Sequence, residues 1–388
     1  MIEVIGDNLA PARSVTHNKE EATVPVRTKR EMQVILPALV SLALLLGACG
    51  TGNSGSATPP ATIPTGASGS AAVAGGVQLP PAETTKVTIG LSNDLAVGQF
   101  LDKFAADLGL FQKYGLDVDV VSFQGDGKLV QALIAGQIQG SEGSGGSAIS
   151  SQLTDTPLVV TTLNNVSLPY DLIGGKDIKT ADDLKGKLVG VSSFGSVAHA
   201  VVLAALEQLG LTSADVVVTQ IGNEAARISA VSAGSIAAAP VTVVNAQPLI
   251  DDGLNVLVDL TDSHIKYATA GLTVRKDWVK DNQGTVLRMI AAILEAQKTL
   301  WDQPDLAVEK YVAFTQTDEA TAKAAIDAYI QSEGNKGLRF TQDAFTIPLE
   351  VTKSVNPEAS KVDLASVYDL SYLDKLESLG FNDAISFP

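Results

Sequence analysis

One cysteine, three histidines and two tryptophans are all that 388 residues offer of those types. A lone cysteine excludes an internal disulfide, and with three histidines it supplies too few soft ligands for a zinc or iron centre built on Cys and His. No cofactor and no metal are therefore expected. Positive charge is scarce as well: 27 Lys and Arg stand against 43 Asp and Glu, a formal charge of -16. With no basic run outside the extreme N-terminus, a nucleic-acid partner is not expected. The apolar run at residues 34–48 spans about 15 residues and contains Pro37, short of the roughly 20 that a membrane-crossing helix needs. What remains is 45% hydrophobic, enough core material for about two domains of roughly 150 residues each.

The apolar run comes after Arg27-Thr28-Lys29-Arg30 and reads as an export signal over residues 1–48, with translation starting at Met1 or at Met32. It closes on Leu46-Gly47-Ala48-Cys49, small residues before a cysteine, and so resembles the lipobox of bacterial lipoproteins. That resemblance implies that Cys49 carries diacylglycerol and becomes the mature N-terminus, with membrane lipid as a partner. A buried cysteine ending a core helix is the alternative, but Gly50-Thr-Gly-Asn-Ser-Gly-Ser56 comes directly after it. Residues 49–85 are expected to form a lipid-anchored flexible linker: up to residue 82 nearly all are Gly, Ser, Ala, Thr or Pro, and no charge appears before Glu83. Its reach is on the order of 30 Å.

From Lys86 onward strands alternate with helices, the pattern of parallel βαβ units in an α/β domain. Val87-Thr-Ile-Gly-Leu91 is a β-branched run, Phe100, Phe104 and Leu108 come next at helical spacing, and Asp117-Val-Asp-Val-Val121 returns as a strand. The wording recurs about 100 residues later. Leu188-Val-Gly-Val-Ser192 answers the first strand, Leu209-Gly210-Leu211 answers Leu108-Gly109-Leu110, and Asp215-Val-Val-Val218 answers Asp117-Val-Asp-Val120. Ala230-Val-Ser-Ala-Gly234-Ser-Ile236 matches Ala132-Leu-Ile-Ala-Gly136-Gln-Ile138, each with a glycine ending a helix and an isoleucine opening the next segment. The competing reading is that any two βαβ segments look alike.

Two similar units imply two lobes, with ligand bound outside the carboxyl ends of the strands. The repeat then pairs the loops: 92–97 with 192–197, 122–126 with 220–224, and 141–147 with 240–245. Beyond residue 270 helical periodicity takes over, with segments expected at 285–301, 306–314, 319–332, 341–351 and 364–379. Lobe 1 is thus expected at 86–174 and 270–388 and lobe 2 at 175–269. The crossings are placed at Ile173-Gly174-Gly175 and residues 267–271, forming a hinge.

Residues 86–245 resemble the solute-binding proteins of bacterial ABC importers, in the nitrate, sulfonate and taurine group that includes riboflavin and thiamine-pyrimidine binders and thiamine-pyrimidine synthase-like proteins. The resemblance rests on Ile89-Gly90, Ala105-Ala-Asp-Leu-Gly-Leu-Phe-Gln-Lys-Tyr-Gly-Leu116, the Ala132 to Ile138 heptad, Ile178-Lys-Thr-Ala-Asp-Asp-Leu-Lys-Gly-Lys187, Gly195-Ser196 and, more weakly, Val274-Arg275-Lys276. It implies a two-lobed type II periplasmic-binding-protein fold with a hinge, the helical C-terminal segment packing on lobe 1. It also implies a non-enzymatic, monomeric protein at the extracytoplasmic face of the cell membrane, capturing a small organic solute of vitamin, heterocycle or sulfonate class. Its partners would be an ABC permease and its ATPase. The family pattern places an acidic residue where Gln139 and Ala237 stand here. Enzymes on the same fold, of thiamine-pyrimidine or menaquinone-pathway type, and a ligand-sensing lipoprotein are the alternatives.

The candidate ligand-binding residues come from the paired loops. Ser192, Ser193 and Ser196 precede a helix whose free N–H groups and dipole favour an oxyanion, although Ser196 serves equally as a cap. His199 lies nearly one turn further on. Asn93, Asp94, Gln124 (with Asp126), Ser144, Ser147, Asn223 and Glu224 offer hydrogen bonds, each being also a common turn or cap residue. Lys128 and Arg227 are assigned to helix interiors, so the loops carry carboxylates without visible cations, which favours a neutral or amine-bearing solute over nitrate or sulfate.

Overall fold

In a computed structural model of the chain, residues 76–123, 125–260 and 265–386 are described. The export signal, Cys49 and the linker as far as residue 75 lie outside the described residues, as do Gln124 and His264. Ten strands run through the described part: β1 (Lys86–Leu91), β2 (Asp117–Ser122), β3 (Gly140–Gly143), β4 (Leu158–Val160), β5 (Tyr170–Gly174), β6 (Leu188–Val191), β7 (Val217–Gln220), β8 (Ala238–Thr242), β9 (Asn255–Asp259) and β10 (Gly271–Arg275).

They form two sheets of five strands with one topology. Lobe 1 has the order β2-β1-β3-β10-β4 and lobe 2 the order β7-β6-β8-β5-β9. In each, three strands are parallel, as the alternating pattern requires, and a fourth enters antiparallel after a crossover: β10 beside β3, and β5 beside β8.

The internal repeat has a packing cause. A Cβ on Gly90 in β1 would sit 2.8 Å from the Ile138 side chain, and one on Gly190 in β6 would sit 2.6 Å from that of Ile236. The repeated strand glycine makes room for the repeated isoleucine. That isoleucine comes after a helix-ending glycine in the left-handed region, Gly136 at φ 71° and Gly234 at φ 69°. Gln139, at one of the two positions departing from the family pattern, accepts the Thr88 N–H at 2.9 Å and so extends the pairing of β1 with β3.

Two boundaries differ from the sequence expectation. The first crossing lies between Val160 and Tyr170, not at residues 173–175, because β5 is already hydrogen-bonded between β8 and β9 in lobe 2. Ile173 and Gly174 therefore belong to a strand that is buried along its whole length, not to a flexible crossing. Second, part of the expected linker is docked on lobe 1. Leu79 is in the core, Arg288 donates to the carbonyls of Leu79 and Pro80, and the Glu83 carboxylate accepts the N–H groups of Gly284 and Thr285 at the start of the helix Gln283–Asp302. An acid at a helix N-terminus is favourable there.

The two connections run side by side. Asn164 donates its N–H to the Ala270 carbonyl (2.8 Å), and Tyr267 donates to the Val166 carbonyl (3.0 Å). A Cβ on Gly271 would come within 1.9 Å of the Thr162 carbonyl oxygen, so only glycine allows this approach.

The C-terminal helices cover lobe 1, as expected. Gln283–Asp302 buries Val286, Ile290, Ile293 and Leu294 against Phe100, Phe104 and Phe111. They also reach further. The helix Thr346–Val355 packs on Gly145–Ser151 of lobe 1 and Val197–Gln208 of lobe 2, with Leu349 in one apolar cluster and Ile347 and Val351 in the other. The single helix expected over 364–379 is instead a short 3-10 turn, Leu364–Ser366, succeeded by the α-helix Ser371–Ser378. No described helix is long and apolar enough to cross a membrane.

Candidate functional site

The paired loops meet, and the repeat decides which residues face each other. The helices Asp126–Ile134 and Glu224–Ser232 are equivalent, so each lobe opens the same helix with a buried carboxylate at the cleft. Backbone approaches close and must be glycine: a Cβ on Gly125 would lie 3.3 Å from the carbonyl carbon of Gly222, and one on Gly146 would lie 2.3 Å from the carbonyl oxygen of Gly195.

Glu224 is saturated. It accepts from the Thr242 N–H (2.8 Å), the Thr242 hydroxyl (2.7 Å), Asn245 Nδ2 (3.2 Å) and, across the cleft, Asn93 Nδ2 (2.8 Å). Asn93 is held in turn by Gln99, whose Oε1 accepts the N–H groups of Ser92 and Asn93 at 2.8 and 2.9 Å. Asp126 has thinner company: the hydroxyls of Ser92 and Ser192 and the charge of Arg227. Burial raises its carboxyl above the ordinary range, partly offset by Ser92, Arg227 and Ser192.

Arg227 corrects the sequence reading. It does lie within a helix, but it is buried at the cleft, with Nε on the Pro240 carbonyl (3.1 Å) and Nη1 on the Gly222 carbonyl (3.0 Å). A cation is therefore present, although it is outnumbered by the two carboxylates. Its repeat counterpart is Leu129, an ordinary core residue, so no periodicity announces it. Tyr170 also lines the cleft, and burial pushes its hydroxyl well above the usual value. The Tyr267 hydroxyl is buried without a hydrogen-bond partner, in the field of Asp126 and Tyr170.

These groups surround two spaces. An inner cavity of about 50 Å³ lies between Asn93, Tyr170, Ser192, Asn223, Glu224 and Arg227. At roughly 10–15 Å³ for one water it holds a few waters and no more. An outer groove of about 370 Å³ runs between Val130 and Ile134, the serines Ser147 and Ser150, and Ser193 and Phe194. Asp126 lines both.

The remaining candidates divide by what they already bind. Ser196 caps Val197–Gln208, accepting the His199 N–H at 3.3 Å and donating to the Ser193 carbonyl at 2.6 Å. His199 is turned to the backbone: its Nδ1 accepts the Gly195 N–H at 3.1 Å, its ring meets Phe194 edge-on, and burial lowers its basicity. Part of the donor set expected to favour an oxyanion is thus used internally. Ser144 caps Gly145–Ser151, and Asp94 turns toward Ser122 at the end of β2; neither lines the inner cavity or the outer groove. Asn223 both caps its helix and lines the inner cavity. Among the described residues no group of three or more His, Cys, Asp or Glu side chains is placed to hold a metal ion.

The model of the NMT1/THI5 like family matches residues 103–307. The chain belongs to the NMT1/THI5-like family. A Brucella abortus (strain 2308) relative, provisionally named a binding protein, is 27% identical over 254 residues, covering 63% of this chain and 74% of the relative. Among solved structures, a Bordetella bronchiseptica RB50 protein superimposes with TM-score 0.67 at 22% identity, covering 78% of this chain and 99% of that one. The nitrate-binding protein NrtA of Synechocystis PCC 6803 gives 0.65 at 14% identity, covering 79% and 92%. The alkanesulfonate-binding protein SsuA of Xanthomonas axonopodis pv. citri gives 0.63 at 16%, covering 74% and 99%. These likenesses assign this NMT1/THI5-like chain the two-lobed periplasmic-binding fold.

Proposed function

We propose that the chain is the extracytoplasmic solute-binding lipoprotein of an ABC importer, tethered through Cys49. It captures a small organic solute between its lobes and hands it to a membrane permease and ATPase. The observation that carries this is the facing pair of strand-end loops. Asn93 of lobe 1 bonds Glu224 of lobe 2, and Asp126 of lobe 1 lies in reach of Ser192 of lobe 2. Polar groups of both lobes thus converge on one cavity, and 50 Å³ is too small for an organic solute. Entry requires the lobes to part and binding draws them together, so occupancy becomes a shape that a permease reads. The Brucella relative is named a binding protein, and two of the structural neighbours are named alkanesulfonate-binding and nitrate-binding, which supports this reading.

The protein acts as a monomer and not as an enzyme. Among the described residues the cleft-side imidazole, His199, is engaged with backbone, and the cavity serines Ser92 and Ser192 lean on the buried Asp126 carboxylate rather than on an imidazole base. Buried carboxylates outnumber the guanidinium, which favours a neutral or amine-bearing vitamin or heterocycle over nitrate or a sulfonate. Native mass spectrometry of protein from its own source is expected to show a retained small molecule. X-ray scattering is expected to show contraction when that molecule is added back. A particle of constant size across a broad metabolite library, or turnover of the bound solute, would refute it.

A further inference from the structure

The two equivalent carboxylates at the cleft are unequal. Four neutral donors saturate Glu224 and fix it as a structural bridge. Asp126 is also buried, at 8% exposure against 0% for Glu224, but has two serine hydroxyls and one guanidinium shared with backbone carbonyls. It is also the one residue that lines both the inner cavity and the outer groove. Beside it the buried Tyr267 hydroxyl lacks a partner.

The groove contributes the other half. Phe194 is 47% exposed, the one aromatic among the large exposed hydrophobics of the described residues. It stands over a groove with Val130 and Ile134 on one wall and serines on another. An apolar ring at the lip of a polar chamber suits a ligand that is charged at one end and flat at the other. The charge of the whole chain, -16, attracts cations and repels anions on approach.

We propose that Asp126 is the specificity-determining group of the cleft, selecting solutes whose protonated amine or amidine sits against its carboxylate while a flat apolar body lies in the outer groove over Phe194. This rests on the solute-capture reading and narrows it. The cation replaces the serine hydroxyls on Asp126, and its remaining N–H donors face Tyr170 across the inner cavity. An anion in the same place would meet Asp126 and Glu224 with only Arg227 to compensate. Phe194 makes no polar demand, so it sets how tightly the body is held and leaves the choice of charge to Asp126.

The test is calorimetry with four probes on one scaffold: benzylamine, benzamidine, benzyl alcohol and benzenesulfonate. In the wild-type protein the amine and amidine are expected to bind at least tenfold more tightly than the alcohol, with the sulfonate weakest. Asp126→Asn is expected to bring amine and alcohol within twofold of each other. Phe194→Ala is expected to weaken all binders by a similar factor. The wild-type ranking needs no variant, so it stands even if Asp126→Asn folds poorly. A sulfonate that binds as well as the amine, or an amine preference that survives in Asp126→Asn, overturns the proposal. Failure of both cations while another solute contracts the particle in scattering also overturns it but leaves solute capture intact. A particle that no solute contracts refutes both.

Discussion

In lobe 1 the helix Gln283–Asp302 and its successors bury the sheet in one apolar cluster that runs from Leu79 to Ile385. In lobe 2 the same strand order is left partly bare, with Val217 in the edge strand β7 at 50% exposure and Leu188 and Val256 at 42% each. The cleft divides the other way. Lobe 1 brings the adaptable group, Asp126, whereas lobe 2 brings the fixed ones, Glu224 with its four donors and Arg227 on two carbonyls. Duplication explains why both lobes open a helix with an acid at the cleft. The acids differ by their company: Thr242, Asn245 and Asn93 donate to Glu224, whereas Asp126 has two serine hydroxyls and the charge of Arg227, which stands where lobe 1 has Leu129. Lobe 1 therefore holds the larger apolar core and also the less saturated of the two equivalent carboxylates.

The stability contrast should be large. Phe100 is fully buried and packs on Phe104, Tyr311 and Phe314, so Phe100→Ala is expected to cost about 3–5 kcal/mol in urea denaturation. A value below about 1 kcal/mol would deny that core its stabilising role.

Gly146→Ala tests the cleft without the core. A Cβ there would sit 2.3 Å from the Gly195 carbonyl oxygen across the lobes, so the variant is expected to melt near the wild type but to remain expanded in scattering and bind its solute at least tenfold more weakly.

A third expected effect concerns a buried acid pair found in lobe 1 alone. Asp102 and Glu142 are fully buried within hydrogen-bonding reach of one another, and Asn164 Nδ2 donates to Glu142 at 2.8 Å. Burial raises both carboxyls; the charge and hydrogen bond of Asp102 raise Glu142 further, whereas the hydrogen bond with Glu142 partly offsets the rise at Asp102. Acids raised in the fold hold protons that the unfolded chain releases above about pH 4. The native state then binds more protons, and stability falls as pH rises from there through the raised values. Glu142→Gln removes one of these charges. Its unfolding free energy in urea denaturation is expected to fall less than that of the wild type between pH 5 and pH 8, by on the order of 1–3 kcal/mol at the upper end. A slope of the same sign remains from Asp171, which burial and its register partner Asp259 push up to about 7 in lobe 2. Identical slopes for variant and wild type would show that the pair shares no proton. At the small end, Val217→Ala on the bare edge of lobe 2 should stay within about 0.5 kcal/mol of the wild type.

The repeated strands and the helix-ending glycines are legible because they obey local rules: Gly136 and Gly234 need a left-handed backbone, and Gly90 and Gly190 must clear an isoleucine. β4 and β5 do not announce themselves as strands. Both are short and buried throughout, so neither alternates, and a buried run such as Tyr170–Gly174 resembles a loop beside a glycine pair. The docking of residues 79–85 depends on Arg288 and Thr285, some 200 positions away, which no window reveals. At the cleft, loop pairing groups Asn93, Ser192, Asn223 and Glu224, and the fold sets all four around the inner cavity. It gives undue weight to Ser196 and His199, whose local hydrogen bonds are invisible in sequence, and it passes over Arg227, whose side chain doubles back from within a helix to the strand-end carbonyls.

The helix Thr346–Val355 adds a third attachment between bodies already joined by two adjacent strands. Two parallel connections define an axis and leave one rotation about it; a contact away from that axis converts free swing into a limited stroke. On the solute-capture reading the amplitude of opening is governed from the chain's last quarter, by a helix seated behind the groove serines of Gly145–Ser151, and shortening that helix would alter travel.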